Sequence, residues 1–219
     1  MRGRSRVLSD PAEARARMVE QQLHGRDVVD ERVLAAMQRV PRELFVPEEL
    51  RDRAYHDAAL PIGGGQSISQ PYMVAKICEA LALRGGEHVL DVGSGSGYQA
   101  AVLAELAAEV DTIERLPELA ALARANLTAG GYNRVRVNVG DGTRGLPERT
   151  PFAAIAVAAA APRLPQTLYD QLEQGGRLVV PVGRYGIQRL EVIVRGPEGP
   201  AVVKSVPCRF VPLVGEEGF

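Results

Sequence analysis

Apolar residues follow two alternating patterns along most of this chain. Short runs rich in valine, isoleucine and alanine predict β-strands, because such runs are typical of strands buried in a sheet. Longer segments with apolar residues at helical spacing predict amphipathic helices. Alternating strands and helices are typical of a parallel sheet with helices on both faces. The chain is therefore predicted to be an α/β protein with a doubly wound sheet.

The alternating pattern begins at about residue 71. Strands are predicted for a run that ends at Val92 and for residues 109–114, 135–139, 152–157, 177–181, 188–194 and 201–206. Helices are predicted over residues 71–83, 99–106, 117–129 and 164–172.

The N-terminal part has a different pattern. Asp10, which proline follows, predicts the start of a helix that continues to about Leu23, and Asp30 predicts the cap of a second helix. Residues 61–66 include three consecutive glycines and are predicted to form no regular element. Residues 1–70 are therefore expected to form a helical cap that shapes a substrate cleft.

Length and charge narrow the functional classes. The 219 residues suit one α/β domain, divided into the cap, a core over residues 71–214 and a tail over residues 215–219. With 26 basic and 27 acidic residues, the chain lacks the positive field typical of nucleic-acid binding. No apolar run reaches the length of a membrane span. We expect a cytoplasmic monomer that binds neither nucleic acid nor membrane.

The predicted core opens with a strand that ends in an acid and is followed by a glycine loop. The Gly-x-Gly-x-Gly spacing of this loop differs from the Gly-x-Gly-x-x-Gly of dinucleotide enzymes. Asp91 would repel a pyrophosphate, but it suits a ligand with an amino group or a positive charge. The pattern therefore favours S-adenosylmethionine. The residues expected to bind it here are Asp91, Gly93, Ser94, Gly95, Ser96 and Gly97.

Two further acids lie at or just after predicted strand ends, where ligands bind in open α/β sheets. Glu114 lies 21 positions after Gly93, close to the offset of about 20 residues for a carboxylate that binds ribose hydroxyls. The alternative for Glu114 is a surface acid. Asp141 follows the next strand and is a candidate acceptor for an adenine amino group, although an Asp-Gly pair is also a common turn.

Ser69 has two interpretations. Pro71 predicts the first position of a helix, which places Ser69 near the N-cap. The serine hydroxyl then either caps that helix or joins the helix start in holding an anion such as a carboxylate. The two roles are compatible, and the local pattern leaves both open.

Other catalytic classes find little support. His24, His56 and His88 lack the spacing of metal ligands, so no metal site is expected and His88 is interpreted as structural. The pattern of a phosphate loop or a nucleophile elbow is also missing. Methyl transfer to a carboxylate needs little acid–base machinery, because a carboxyl group with a pKa of about 4 is already ionised at neutral pH. The protein then contributes mainly alignment and desolvation.

A more specific pattern runs in order along the chain. Its segments are Tyr55–Val74, Val89–Tyr98, Thr112–Arg115, Gly140–Gly142, Ala159–Pro162, Gly175–Gly183 and Arg209–Leu213. Together they closely resemble the signature of the protein-L-isoaspartate O-methyltransferases over about residues 17 to 214. The sequence Gln-Ser-Ile-Ser-Gln-Pro at Gln66–Pro71 is the discriminating part, because general methyltransferases share only the glycine loop.

The resemblance implies a class I S-adenosylmethionine-dependent methyltransferase with a Rossmann-like sheet, an N-terminal helical cap and additions at both ends. Such enzymes methylate the free carboxylate of L-isoaspartyl residues in damaged proteins and peptides, and they release S-adenosylhomocysteine. The esters collapse to succinimides, whose hydrolysis returns part of the pool to aspartate. The implied partners are therefore isoaspartyl-containing proteins and peptides.

The resemblance also implies roles for individual residues. Ser69 is implied to be the active-site serine. Residues implied to contact the cofactor are Gln66, Ser67, Ile68, Glu114, Asp141 and Gly142. Residues implied to contact the substrate are Ser69, Pro212, Leu213 and Val214. Positions that depart from the commoner family forms are Ser67, Ala153, Ala158 and the tail 215–219.

Three alternatives to protein repair stay open. The same scaffold could methylate another carboxylate, of a small molecule or a peptide. It could also be an inactive relative that still binds isoaspartyl peptides or the cofactor, although Ser69, Glu114 and the glycine loop argue against this. An NAD-dependent oxidoreductase is disfavoured by the loop spacing and by Asp91.

Overall fold

The computed structural model describes residues 10–184 and 186–219, so the first nine residues of the predicted cap lie outside the described residues. The α-helices are α1 (Pro11–Met18), α2 (Glu31–Arg39), α3 (Pro71–Leu81), α4 (Tyr98–Ala104), α5 (Pro117–Ala129) and α6 (Gln166–Asp170). The strands are β1 (Leu60–Gly63), β2 (Gln66–Ile68), β3 (His88–Val92), β4 (Glu109–Glu114), β5 (Arg136–Val139), β6 (Phe152–Val157), β7 (Leu172–Arg184), β8 (Ile187–Gly196) and β9 (Gly199–Cys208). Among the described helices, none is long and apolar enough to span a membrane.

Seven strands form one sheet in the order β5-β4-β3-β6-β7-β8-β9. The first five strands in this order are parallel, whereas β8 and β9 are antiparallel additions. The chain runs outward from β3 to β5 and then crosses back to β6 on the other side of β3. Ligands of open α/β sheets bind where the strand order reverses in this way, outside the carboxyl ends of the strands. The predicted doubly wound sheet is confirmed.

The central strands alternate their side chains between two apolar layers. On one face, Val89 of β3 packs in a cluster with α3 and the cap, which includes Ile77 and Met37. On the other face, Leu90 packs in a cluster that includes Leu168 of α6. The cap therefore shares the core of one face of the sheet.

The two cap helices begin as predicted. Asp10 caps α1 by accepting the backbone N–H of Ala12, and the helix continues as a π-helix over Val19–His24, close to the predicted end. Asp30 caps α2 in the same way. Two 3₁₀ turns then lead towards β1, and the first of them, Arg42–Phe45, carries a buried arginine.

The prediction that residues 61–66 form no regular element is wrong. β1 and β2 pair antiparallel as a hairpin, with Leu60 opposite Ile68. Gly63, Gly64 and Gly65 have φ values of 92°, 57° and 70°, and glycine alone adopts such values without strain. The three glycines therefore form the turn of the hairpin.

The bounds of three predicted helices also need correction. Helix α4 covers Tyr98–Ala104 instead of the predicted residues 99–106. Helix α3 ends at Leu81 because Ala82 adopts the left-handed conformation, with φ 52°. Helix α6 covers only Gln166–Asp170 of the predicted residues 164–172, and Leu172 already belongs to β7.

Candidate active site

The glycine loop joins β3 to α4 where the strand order reverses. Gly93, Gly95 and Gly97 have φ values of 93°, 51° and 92°. A β-carbon on Gly97 would lie 3.1 Å from the side chain of Leu127 and 3.3 Å from the carbonyl oxygen of Ala123, both on α5. Glycine therefore allows the loop to pass close to α5 and to bring its backbone to the edge of the sheet.

A cleft runs past this edge. Its inner part lies between the glycine loop and the residues 67–69. A second part extends past Glu114 towards the C-terminal segment. An outer part, of about 450 Å³, lies between residues 67–70 and the segment 209–212. Ser67 and Ala158 line all three parts, so the parts lie next to one another.

Ser69 lines both the inner and the outer part of the cleft. Gln70, not Ser69, is the N-cap residue of α3, and no side chain of residues 10–184 or 186–219 forms a capping hydrogen bond there. The capping interpretation of Ser69 is therefore wrong, which leaves its hydroxyl available to a ligand. The backbone carbonyl of Ser69 accepts a hydrogen bond of 2.8 Å from Nη2 of Arg42.

Glu114 is the last residue of β4 and is 7% exposed. One carboxylate oxygen accepts the backbone N–H of Gly95 and the other accepts that of Leu116, both at 3.0 Å. Each carboxylate oxygen can accept a second hydrogen bond. Because Glu114 also lines the cleft, it can accept from two adjacent hydroxyls of a ligand.

Asp91 lies beneath the glycine loop, fully buried. Its carboxylate accepts hydrogen bonds from Nε2 of Gln99 at 2.8 Å and from Oγ1 of Thr112 at 2.9 Å. Burial raises the pKa of Asp91 to about 6, although these two hydrogen bonds lower it. Asp91 does not line the described parts of the cleft, whereas Gln99 does. The predicted contact between Asp91 and the cofactor stays a prediction.

Two buried oxygens in the inner part have no hydrogen-bond partner among the described residues. They are Oγ of Ser96 and Oε1 of Gln99. Buried polar groups are nearly always hydrogen-bonded, so these two atoms indicate a polar ligand that completes the site. The amino-acid end of S-adenosylmethionine has the required donors and acceptors. The site therefore fits this cofactor.

Asp141 and Gly142 follow β5. Oδ1 of Asp141 accepts the N–H and the hydroxyl of Thr143, and Oδ2 accepts the N–H of Glu216 at 2.9 Å. Burial raises the pKa of Asp141, but the hydrogen bonds outweigh burial and hold the pKa below its usual range. Gly142 is buried against Val92, where a β-carbon would come within 2.7 Å. The adenine contact of both residues stays a prediction.

The C-terminal segment forms one wall of the cleft. Pro212 and Val214 line it. Leu213 is buried in the core, with 5% exposed, and its N–H donates to the carbonyl of Ala160 at 2.8 Å. Leu213 therefore anchors the wall from behind, and the substrate contact predicted for all three residues stays a prediction.

Several residues that line the cleft are not among the predicted site residues, and three of them lie beside the glycine loop or at the end of β6. Tyr98 and Gln99 belong to the first turn of α4, and Ala158 directly follows β6. Their positions carry a signal, because they lie at the carboxyl ends of β3 and β6. Gln66, Ser67 and the glycine loop line the cleft where the cofactor was predicted.

A separate polar cluster lies at the opposite end of the strands. Ligand atoms of His88, Glu109 and Asp111 all lie within 4.8 Å of one another, a grouping that could hold a metal ion. Arg136 and Arg149, however, form ion pairs with both acids. These arginines already supply positive charge, and the expectation that the protein has no metal site stays a prediction.

Comparisons with known proteins agree on one family. The family described as Protein-L-isoaspartate(D-aspartate) O-methyltransferase (PCMT) matches residues 13–218. A Protein-L-isoaspartate O-methyltransferase 2 of Marinobacter nauticus is 56% identical over 212 residues, which cover 96% of this chain and 97% of the relative. A Protein-L-isoaspartate O-methyltransferase 1 of Rhodopseudomonas palustris is 54% identical over 215 residues, which cover 95% of this chain and 86% of the relative.

Solved structures give the same result. A protein-L-isoaspartate O-methyltransferase matches with a TM-score of 0.81 and 27% identity, over 93% of this chain and 66% of that structure. A protein-L-isoaspartate O-methyltransferase from Plasmodium falciparum, in complex with S-adenosyl-L-homocysteine, matches with a TM-score of 0.78 and 25% identity, over 91% of this chain and 98% of that structure. The resemblance seen in the sequence is confirmed. The chain belongs to the protein-L-isoaspartate(D-aspartate) O-methyltransferase family.

Proposed function

We propose that this protein is a repair enzyme that methylates the free carboxylate of L-isoaspartyl residues in damaged proteins and peptides. It uses S-adenosylmethionine and releases S-adenosylhomocysteine. The observation that carries the proposal is the position of Ser69, which lines both the inner part of the cleft and the outer part of about 450 Å³. One residue can therefore contact a substrate carboxylate beside the cofactor.

The inner part and the second part of the cleft hold the cofactor. S-adenosylmethionine, when bound, supplies a methyl group that its sulfonium already activates. Glu114 accepts hydrogen bonds from the ribose hydroxyls, and Oε1 of Gln99 accepts one from the amino group. Asp91 fixes the orientation of the Gln99 amide through its hydrogen bond with Nε2. Asp141 and Gly142 would flank the adenine, whereas Ser67 and Ile68 of β2 border the inner part of the cleft beside the glycine loop.

Ser69 orients the substrate. Its hydroxyl donates a hydrogen bond to one oxygen of the substrate carboxylate, which leaves the other oxygen free to react. This step needs no general base, because the carboxyl group is ionised at neutral pH. Alignment of two reacting groups is worth effective molarities of roughly 10⁵ M or more, so the position of Ser69 governs the rate.

The outer part of the cleft accepts the peptide. Met73, Phe210, Val211 and Pro212 provide apolar walls, and Arg209 lies exposed at the rim. An isoaspartyl carboxylate leaves the backbone at a different offset from an aspartyl carboxylate. A pose that aligns one of them misplaces the other, so this cleft discriminates between the isomers.

Methyl incorporation into an isoaspartyl peptide and its aspartyl isomer tests the assignment. We expect the isoaspartyl peptide to react at least some tens of times faster, roughly the effect of a misplaced reacting group. Equal rates would contradict protein repair. Faster methylation of small carboxylic acids would favour a different carboxylate, and cofactor binding without any turnover would favour an inactive relative.

Three broader predictions accompany this function. The cap shares an apolar core with the sheet, which supports one domain over residues 1–219 with a core over residues 71–214. The enzyme is proposed to act as a cytoplasmic monomer. Its balanced charge favours the proposed absence of nucleic-acid partners. Light scattering of the purified protein tests the monomeric state.

A further inference from the structure

Arg42 lies in the cap, and its side chain is fully buried. Its Nε donates a hydrogen bond of 2.7 Å to the carbonyl of Ala54, and its Nη2 donates one of 2.8 Å to the carbonyl of Ser69. Its guanidinium carbon lies 4.7 Å from the centre of the Tyr98 ring. Ser69 and Tyr98 both line the inner part of the cleft, so Arg42 supports the cleft wall from behind.

The charge of Arg42 is not neutralised within the described part of the chain. Nη1 of Arg42 has no hydrogen-bond partner there. Apart from burial, the groups that act most strongly on the guanidinium are the phenol side chains of Tyr98 and Tyr55, not a carboxylate. Asp57 acts on it only at longer range, and the carboxylate of Asp57 is paired with Arg26 at 2.9 Å. Burial lowers the pKa of Arg42 to about 10, so the side chain remains a cation at neutral pH.

A buried cation without a counter-ion destabilises a protein, and an apolar side chain of similar size would pack at lower cost. Such a charge is therefore expected to have a function. The two carbonyls that Arg42 binds suggest what this function is. Ala54 precedes and Ser69 follows the segment 55–68, which contains the β1–β2 hairpin. The planar guanidinium donates to both ends of this segment at once, which a lysine ammonium cannot do in the same geometry.

We propose that Arg42 is a positioning residue for methyl transfer, which holds Ser69 in place and provides positive charge behind the substrate carboxylate. The inference rests on the proposed function, because the counter-charge for Arg42 comes from the substrate. The ionised isoaspartyl carboxylate supplies the negative charge that no carboxylate of the described residues places beside the guanidinium. The attraction acts through a buried region of low dielectric, where charges interact more strongly than in water. A displaced Ser69 would lose the alignment that governs the rate.

Two variants of Arg42 separate its two proposed contributions, the positioning of Ser69 and the positive charge. Arg42→Lys keeps a cation but loses the planar fork, and we expect kcat for an isoaspartyl peptide to fall by about tenfold or more, as misalignment does. Arg42→Gln keeps a donor but loses the charge, and we expect the Kd of a fluorescein-labelled isoaspartyl peptide, measured with S-adenosylhomocysteine present, to rise by about tenfold. In both variants the Kd of S-adenosylhomocysteine by calorimetry should stay within about threefold.

Coupling to Ser69 distinguishes positioning from general support of the fold. In a Ser69→Ala background, Arg42→Lys should lower kcat by no more than about threefold, because the group that it positions is already gone. Arg15→Lys is the control. Arg15 is another largely buried arginine of the cap, and its Nη1 donates a hydrogen bond of 3.2 Å to the hydroxyl of Tyr55. Its substitution should lower stability without changing kcat or peptide affinity.

Several results would overturn the inference. They are wild-type kinetics in Arg42→Lys, equal losses of peptide and cofactor affinity, and full additivity with Ser69→Ala. If Arg42→Gln does not fold, the coupling measured with Arg42→Lys decides alone. A wild-type enzyme without activity on the isoaspartyl peptide would instead contradict the proposed function, so the two failures are distinguishable.

Discussion

The backbone N–H of Gly95 donates a hydrogen bond of 3.0 Å to the carboxylate of Glu114. This bond joins the glycine loop after β3 to the last residue of β4. The other carboxylate oxygen accepts the N–H of Leu116, so Glu114 is held from two sides before any ligand binds. Preorganisation of this kind reduces the entropy that binding costs.

We expect Glu114→Gln to weaken S-adenosylhomocysteine binding by about 1–3 kcal/mol, the scale of hydrogen bonds to a charged group. The amide NH₂ of glutamine would face one of the two backbone N–H donors, of Gly95 or Leu116, and would repel it. Turnover at saturating cofactor should fall much less, because a ribose contact is similar in the ground state and the transition state. Calorimetry measures the affinity.

Glu49→Gln is the matched control for this prediction. Glu49 is an exposed glutamate of the cap, and its substitution should leave the affinity for S-adenosylhomocysteine unchanged. An unchanged affinity in Glu114→Gln as well would remove Glu114 from the cofactor site.

Ser69→Ala should separate activity from stability. Because Ser69 does not cap α3, the free energy of unfolding should change by less than the roughly 0.5–2 kcal/mol typical of a lost cap. We expect kcat to fall by about tenfold or more, since the substrate carboxylate loses its orienting hydrogen bond. Ser69→Asp should be worse, because a second carboxylate repels the ionised substrate. Denaturant titration and steady-state kinetics measure the two effects.

The control for Ser69 is Ser205→Ala on β9, outside the described parts of the cleft. Ser205 accepts a hydrogen bond from Nε of Arg189, so its substitution also removes a hydroxyl contact. It should leave kcat unchanged. A folded Ser69→Ala enzyme with most of its kcat and an ordinary KM for the peptide would exclude the proposed role of Ser69.

The raised pKa of Asp91 predicts that the free energy of unfolding depends on pH. Burial raises its folded pKa to about 6, above the usual value near 4 of an unfolded chain. Its contribution to stability is therefore fully present below about pH 4 and is lost as the pH rises through about 6, a total of roughly 3 kcal/mol. In Asp91→Asn this contribution is missing. The difference in unfolding free energy between the wild type and Asp91→Asn should therefore shrink or reverse between pH 4 and about pH 7.

Denaturant titrations of both proteins across this pH range measure the difference. A difference that does not vary with pH would show that Asp91 has an ordinary pKa in the folded protein. The same series with S-adenosylhomocysteine present reports whether the Asp91–Gln99 hydrogen bond affects cofactor binding.

The sheet could be predicted from the sequence because the spacing of apolar residues that distinguishes a strand from a helix is visible within a short segment of the chain. The buried run before Gly93 and the acid that ends β4 both identified the carboxyl edge of the sheet, and the structure brings Gly93 and Glu114 to one cleft. The hairpin at residues 60–68 was missed because its pairing depends on cross-strand contacts and on three glycines with positive φ. Composition shows that such glycines permit a turn, but it does not show which strands the turn connects.

Tertiary contacts also decided the features that the sequence left open. The N-cap position of α3 falls on Gln70, one residue beyond Ser69, which local propensity does not resolve. The contact of Gln99 with Asp91 crosses from a helix to a strand and depends on the path of the glycine loop. Arg42 is one of 26 basic residues, and only the fold shows that its side chain is buried behind Ser69.

The tail over residues 215–219 packs against Asp141 and Thr143, beside the residues predicted to bind the adenine. The side chain of Glu217 accepts hydrogen bonds from the N–H and the hydroxyl of Thr167, and its N–H donates to the hydroxyl of Thr143. Among the described residues, the side chain of Glu216 contacts only Arg144, in an exposed ion pair. We expect Glu217→Ala to lower the free energy of unfolding by about 1–3 kcal/mol, and the control Glu216→Ala to change it by less than about 1 kcal/mol. Denaturant titration compares the two, and equal effects would show that the tail does not pack in this way.

Substitution of Gly215 tests whether Asp141 belongs to the cofactor site. A β-carbon on Gly215 would lie only 2.0 Å from Oδ1 of Asp141, whose carboxylate is held by Thr143 and by the N–H of Glu216. Gly215→Ala must therefore displace this carboxylate, at a cost of about 1–3 kcal/mol in stability. If Asp141 binds the adenine, the Kd of S-adenosylhomocysteine should also rise by about fivefold or more, the scale of a lost hydrogen bond. Gly86→Ala is the control, because a β-carbon there meets nothing within 4 Å, and it should change neither quantity. A less stable Gly215→Ala protein with wild-type affinity for S-adenosylhomocysteine would show that Asp141 holds the tail and does not bind the cofactor.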